Sequence, residues 1–237
     1  MSIALVTGAT SGIGRAIAYA LASGGHHVLA LGRNAEGLAE LAKNSRITPL
    51  AVELTDRAAV QQALAKVEVD ILVNNAGMMP PLGPFHTAQQ EDIDTTIAAN
   101  FVAQVAVTRL IVPGMIARQR GHIFFTGSTA GHTAFPNMAV YCATKFAIRG
   151  FAQALRLDLA DHGIRVTEIV AGRVETNLYL NILSEEKRKA MYANDSAAQP
   201  KDVADMVLAV LALPQSVDVT RFDILPTRQS VATTQLK

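Results

Sequence analysis

Apolar residues gather in short runs along the chain: Ile3 to Thr7, His27 to Leu31, Thr48 to Val52, Ile71 to Asn74, His122 to Thr126, Arg165 to Val170 and Arg221 to Leu225. Most are rich in Val, Ile, Leu or Phe, as in strands buried on both faces of a parallel sheet. The segments between them carry helical patterns and are long enough for right-handed crossovers. Strand and helix alternating from end to end predict an α/β fold, a doubly wound parallel sheet of about seven strands with helices on both faces.

No repeat, low-complexity tract or linker interrupts the pattern, so residues 1–237 are expected to form a single Rossmann domain. Pro80-Pro81-Leu82-Gly83-Pro84 breaks structure after the fourth run and predicts a loop over the sheet's carboxyl edge. The polar stretch 175–198, with Ser184-Glu185-Glu186-Lys187-Arg188-Lys189, reads as a solvated helix or as a small substrate lid ahead of a helix starting near Pro200.

Composition narrows the partners. Half of the residues are hydrophobic and 17% are charged, which favours an oligomer. A formal net charge of +1 without a basic run gives no reason to expect nucleic acid or membrane, leaving a small molecule. The start Met1-Ser2-Ile3-Ala4-Leu5-Val6 shows no targeting pattern, and the single Cys142 excludes an internal disulfide framework, so a cytoplasmic protein is expected. The histidines lack metal-ligand spacing, and no catalytic metal is expected.

Thr7-Gly8-Ala9-Thr10-Ser11-Gly12-Ile13-Gly14 follows the first run and opens a helix over Arg15 to Ala22. Gly8 permits a tight turn, Gly12 a close approach to a pyrophosphate, and Gly14 close packing of helix on strand. The helix N-terminus then offers free N–H groups to the anion, with Thr10, Ser11 and Ile13 beside it. In Leu31-Gly32-Arg33-Asn34, Gly32 stands where an NAD-preferring site carries an acid for the ribose hydroxyl, and Arg33 can offer its planar fork to a 2′-phosphate. NADP(H) is therefore favoured over NAD(H); the plainer reading of Arg33 is a solvent-facing turn residue. Glu53 and Leu54 are placed to meet the adenine, and Asn74-Asn75-Ala76-Gly77 puts small, backbone-rich surface beside the cofactor.

Tyr141 and Lys145, at i and i+4, share a helix face, with Ser128 thirteen residues before Tyr141. A free phenol titrates near pH ~10, but a neighbouring ammonium favours phenolate. Tyr141 is thus the expected acid/base between alcohol and carbonyl, with Lys145 also able to hold ribose hydroxyls and Ser128 to polarise the substrate oxygen. Alone, the pair would read as a half-buried tyrosine and a surface lysine; the order of all the parts argues for chemistry.

With these residues in place, the chain resembles the short-chain dehydrogenase/reductase family over essentially its whole length. The family's glycine motif falls on Gly8, Gly12 and Gly14, its Asn-Asn-Ala-Gly segment on 74–77, and its tetrad on Asn100, Ser128, Tyr141 and Lys145. The resemblance implies that Asn100 kinks its helix and holds a water linking Lys145 to solvent. It implies nicotinamide contacts at Gly172, Val174 and Thr176, and a homotetramer or homodimer packed through the helices bearing Asn100 and Tyr141. Leu29 to Arg33, Gly127 to Gly131 and Leu225 to Ser230 resemble the NADP-dependent dehydrogenases of serine and other short 3-hydroxy acids, which again implies NADP(H).

The chain also departs from the pattern. Ala171 replaces the family's proline, which is expected to loosen the lid's hinge. The lid, Arg173 through Tyr192, does not match the hydroxy-acid subgroup, so no substrate is carried over. Arg173 either anchors a carboxylate or sulfonate or is a variable loop residue, and His132 either lines the pocket or has no chemical role. Met78, Met79, Phe85, Phe135 and Met138 suggest room for a hydrophobic group, or simply core. A nucleotide-sugar epimerase would carry a longer C-terminal region, and an enoyl reductase a wider Tyr–Lys spacing. An NAD(H)-dependent dehydrogenase and a non-catalytic dinucleotide-sensing regulator stay open as alternatives.

Overall fold

A computed structural model describes residues 2–228; Gln229 and Ser230 of the resemblance lie outside the described residues. Seven strands, β1 (Ile3–Thr7), β2 (His27–Gly32), β3 (Ile47–Ala51), β4 (Ile71–Asn74), β5 (Gly121–Thr126), β6 (Ile164–Ala171) and β7 (Arg221–Ile224), form one sheet. Every pairing is parallel, in the order β3-β2-β1-β4-β5-β6-β7. The chain grows outward to β3 and then crosses to β4 on the other side of β1. That reversal opens a crevice at the strands' carboxyl ends, where a doubly wound sheet takes its ligand.

Among the described residues the α-helices are α1 (Gly12–Ser23), α2 (Ala35–Leu41), α3 (Arg57–Leu64), α4 (Gln90–Ile97), α5 (Ala103–Arg118), α6 (Ala139–Leu159), α7 (Glu185–Tyr192) and α8 (Pro200–Leu211). Ile17 and Leu21 of α1 and Val203 and Val207 of α8 fill one core against Val6, Val28 and Phe124 of the sheet. The other core joins Val60 of α3, Val107 and Met115 of α5 and Ile148 of α6 to Leu5, Leu72 and Phe125. Adjacent strand residues thus supply opposite cores, which is why the inner runs are apolar throughout.

The third run departs from that expectation. Thr48, Pro49 and Ala51 are exposed because β3 is an edge strand, where Pro49 breaks no inner ladder. The first helix begins at Gly12 instead of Arg15, so Gly12 and Gly14 lie inside its first turn. α4 and α5 are joined through a π-helical turn, Ala98–Val102, giving a continuous helix from Gln90 to Arg118 that is long and apolar enough, by length and composition alone, to cross a membrane. Its apolar residues Ala103, Val107, Ile111 and Met115 are buried in the core.

After β6 the chain forms a short 3₁₀ turn (Asn177–Tyr179) and α7, then returns through a parallel bridge between Val174 and Ala198 into α8, which starts at Pro200 as expected. The charge run lies on α7, where Lys189 pairs with Glu185 in solvent at 2.7 Å. Ala171 is the last residue of β6 and pairs with Ile224, so the strand continues through the position expected to loosen the hinge, and the lid departs after it.

Candidate active site

The carboxyl ends of β1, β4 and β5 are laced together by side chains. Thr7 Oγ1 accepts from the backbone N–H groups of Asn75 (3.0 Å) and Ala76 (3.1 Å). Asn75 Nδ2 donates to the carbonyls of Thr7 (3.1 Å) and Gly8 (3.3 Å), while Thr126 Oγ1 donates to Asn75 Oδ1 at 3.2 Å. Gly8 turns at φ +64, and a Cβ there would lie 2.8 Å from Ala76 Cα. At Gly14 a Cβ would fall 2.4 Å from both the Gly8 carbonyl and Asn75 Nδ2. The two backbones therefore meet only through glycines. Ser11 makes no side-chain capping bond, so the first-turn N–H groups of α1, beside Thr10 and Ile13, stay available to an anion. Gly12, at φ +52, faces Thr176 Cγ2, so this cradle touches the lid. These features fit a dinucleotide's pyrophosphate.

At the ends of β2 and β3, Arg33 Nη1 donates to Glu53 Oε2 at 2.8 Å, with side chains 77% and 42% exposed. Glu53 also accepts from the backbone N–H and hydroxyl of Thr55. Burial pushes its carboxyl up, but the bonds from Thr55 and Arg33 outweigh that and hold it below the ordinary glutamate range. Gly32 has a steric reason to be glycine, since a Cβ there would come within 2.6 Å of Thr10 Cγ2. Leu54 packs its side chain into the core with Val60 and Leu72, because the chain turns inward after Glu53.

The π-helical turn carries Asn100, which is fully buried. Its Oδ1 accepts from Met78 N at 2.7 Å, and its Nδ2 donates to Met78 O at 2.8 Å and to Thr144 Oγ1 at 3.3 Å. The amide thereby splints the backbone after Gly77, and Gln104 Nε2 supports Ala76 O from the same helix at 2.7 Å.

Ser128 follows β5, and its Oγ accepts from Ala130 N at 3.1 Å, capping a 3₁₀ turn over Thr129–Gly131. α6 brings the Tyr141 phenol near this hydroxyl, close enough for the Ser128 hydroxyl to favour the phenolate. Tyr141 and Lys145 are 6% and 4% exposed. Lys145 Nζ donates to Thr126 O at 2.7 Å and lies 5.6 Å from the Tyr141 ring centroid. The expected lowering of the phenol is corrected here. Burial pushes Tyr141 above the ordinary tyrosine value, the nearby Tyr179 phenol adds to this, and the Ser128 hydroxyl opposes it. Burial also brings Lys145 down to about 8, a fall limited by the negative charge of Glu168. The i, i+4 spacing brings the pair together, but burial moves each group toward its neutral form.

Beside Tyr141, the residues Met79, Ala130 and Cys142 are buried and are covered by Met138, Leu178, Tyr179 and Ile182. Phe85 and Phe135 stand exposed instead. Arg173 Nη1 reaches the lid carbonyls of Met191 (3.4 Å) and Ser196 (3.5 Å), and Tyr192 donates to Thr176 O at 3.2 Å. The lid is thus tied to β6, while Gly172 N donates to Ile224 O at 2.8 Å. A polar cleft of about 650 Å³ runs along the lid between Thr176, Arg188 and Tyr192, with none of the tetrad on its wall.

Sequence reasoning missed Glu168, which is 3% exposed and lies 3.0 Å from His132 Nε2. A charged residue inside an apolar run was its only signal. Tyr179, inside a polar lid, left none. Among the described residues, no group of three or more His, Cys, Asp or Glu is placed to hold a metal.

The sequence matches the short chain dehydrogenase family over residues 2–219. It is 46% identical over 235 residues to an uncharacterised short-chain type dehydrogenase/reductase of Sinorhizobium fredii, covering 99% of this chain and 95% of the relative. It is 38% identical over 242 residues to the NADP-dependent 3-hydroxy acid dehydrogenase YdfG of Escherichia coli, covering 97% of each. Among solved structures, the closed form of a serine dehydrogenase complexed with NADP+ superposes with a TM-score of 0.93 at 37% identity, covering 99% of both chains.

Proposed function

Since the chain belongs to the short-chain dehydrogenase/reductase family, a family of NAD(P)-dependent oxidoreductases, we propose that it interconverts a small alcohol and its carbonyl with NADP(H), using Tyr141 as acid/base. The observation that carries this reading is the buried Tyr141 beside Ser128, with the Lys145 side-chain nitrogen 5.6 Å from its ring centroid. When bound, the nicotinamide supplies the hydride. Tyr141 exchanges the proton at the substrate oxygen, and Ser128, beside the same phenol, orients that oxygen. Lys145 contributes positive charge that favours the phenolate, and Asn100 holds the Gly77–Met78 backbone that borders the site.

Arg33 at the end of β2 supports NADP(H) over NAD(H), in keeping with the relatives named for NADP. The same reading assigns Glu53, Leu54, Asn75, Ala76, Gly77, Gly172, Val174 and Thr176 to contacts with the cofactor. The apolar wall of Met79, Met138, Leu178 and Ile182 supports a substrate with an apolar group beside the reacting carbon. We read residues 1–237 as one domain with its lid at 175–198. The exposed apolar residues Ile97 and Val102 beside α5, and Phe146 and Leu157 on α6, support assembly into a homotetramer or homodimer through these helices. The buried free Cys142 is compatible with a cytoplasmic enzyme.

The test is titration of the purified protein with NADPH and NADH, then nicotinamide absorbance with a panel of hydroxy acids, polyols, diketones and aromatic alcohols. Selective NADPH binding with turnover of one substrate class is expected. Tyr141→Phe should keep NADPH binding and lose about 10²- to 10⁴-fold in kcat. Near-normal turnover by that variant would overturn the mechanism. Binding of neither dinucleotide would overturn the whole reading, and binding without turnover would favour a sensing regulator.

A further inference from the structure

The catalytic reading leaves one hydrogen-bonded pair of side chains, Glu168 and His132, unused. Glu168 lies on β6, in register with Phe125 of β5 and Arg221 of β7. Its carboxylate sits against the backbone at Gly127, where an added Cβ would be 2.5 Å from Oε1. Oε1 is bonded at 3.0 Å to His132 Nε2, which the capped turn after Ser128 delivers. That turn is wedged against α6: a Cβ on Gly131 would lie 2.7 Å from the Lys145 carbonyl. Glu168 and Lys145 therefore approach Thr126-Gly127-Ser128 from two elements, and their charges interact.

The ionisable groups around Lys145 can be named by element. α6 supplies Tyr141, Cys142 and Arg149, the last of which reaches Gly131 O at 3.5 Å. The 3₁₀ turn supplies His132, β6 supplies Glu168, and the lid supplies Tyr179 beyond Tyr141. Arg221 across the sheet is engaged with Asp223 at 3.0 Å. A buried ammonium whose hydrogen bond goes to a neutral carbonyl is costly unless a negative charge offsets its lost hydration. Glu168 is the carboxylate that does so.

We propose that Glu168, clamped by His132, is a positioning residue that keeps the Lys145 ammonium charged inside the protein and so sets the pH range over which Tyr141 exchanges protons. This rests on the roles given to Tyr141 and Lys145 above. With the carboxylate gone, Lys145 loses its proton at lower pH, and a neutral amine no longer favours the phenolate.

The test is Glu168→Gln, which keeps shape and removes charge, read in two ways. The first is the pH titration of the Lys145 side chain in the unliganded protein by NMR of 13C-labelled lysine, which needs no substrate. Its midpoint should fall by about one pH unit, the scale of one charge at several ångströms in a partly polar interior. The second is kcat/KM for carbonyl reduction against pH, whose alkaline limb should move down by a similar amount, while Glu168→Asp restores most of it. A purely structural role would lower activity equally at all pH and leave the Lys145 midpoint in place, and that result overturns the proposal. A shifted midpoint with an unmoved limb would uphold Glu168 as the source of the Lys145 charge and instead refute the proton role given to Lys145. Should Glu168→Gln fail to fold, Glu168→Met, neutral and of similar volume, reads the same titration.

Discussion

Gly14→Ala puts the cradle's geometry to a quantitative test. The added methyl would lie 2.4 Å from the Gly8 carbonyl oxygen and from Asn75 Nδ2, and 2.9 Å from the Gly8 carbonyl carbon. None of these can move cheaply. Gly8 is backbone at φ +64, and the Asn75 amide is held by Thr7 O, Gly8 O and Thr126 Oγ1. Relief requires α1 to retreat from β1 by about an ångström, set against ordinary contact distances of about 3.5 Å or more. Overpacking of this kind costs about 1–3 kcal/mol. Displacing the amide from its two carbonyls adds about 1 kcal/mol for each bond, and alanine's helix propensity returns at most about 1 kcal/mol. The net loss is about 2–4 kcal/mol, which for a chain of this size lowers Tm by roughly 5–12 °C. Because the first-turn N–H groups retreat with the helix, NADPH should also bind at least about tenfold more weakly. Thermal melts by circular dichroism and a fluorescence titration with NADPH read both effects. Gly83→Ala, whose methyl would meet only Thr87 Oγ1 at 3.6 Å, is the control and should leave Tm nearly unchanged. A Gly14→Ala protein that melts within about 2 °C of wild type and binds NADPH normally would refute the claim that backbone contact demands this glycine.

Arg33→Ala should weaken NADPH binding by about 10- to 100-fold, the worth of charge-assisted bonds to a phosphate, and change NADH binding little. Its ion pair with Glu53 is exposed, so Tm should hold; an unchanged NADPH/NADH affinity ratio would remove the 2′-phosphate assignment. His122 provides a pH prediction. Burial against Phe124, followed by the nearby Arg165 charge, lowers its pKa to about 3, and its Nε2 meets Thr167 Oγ1 at 2.8 Å. Below the unfolded value of about 6.5 the unfolded chain binds a proton that the folded one refuses, so stability falls as pH drops from about 6.5 toward 3 and is unaffected by this group above. Urea midpoints at pH 7 and 4.5 should show a wild-type loss about 2–3 kcal/mol larger than that of His122→Gln; equal losses would show that His122 does not carry this slope.

Much of the site was legible because it is written in local spacing. Seven apolar runs reappear as seven strands with ends shifted by a residue or so, since strand length and burial on both faces leave a local signature. The glycines at 8, 12 and 14 and the i, i+4 pair Tyr141 and Lys145 are also local, and the fold sets both beside the same crevice. What the sequence withheld depends on residues far apart in the chain. The bond between His132 and Glu168 spans 36 positions, and those between Thr7 and Asn75 span 68. Only the sheet order brings them together.

Burial is decided at the same level. Leu54 turns into the core, and β3 lies at an edge with its face in solvent, because neighbours not visible in either segment cover one and leave the other bare. Tyr141 rises instead of falling because the tertiary structure strips water from the phenol, and the same burial lowers Lys145. The sequence by itself determined the local groupings, the glycine turn and the Tyr141–Lys145 pair; the tertiary structure decided which distant residues join them and how much water they lose, and those set the protonation on which the chemistry turns.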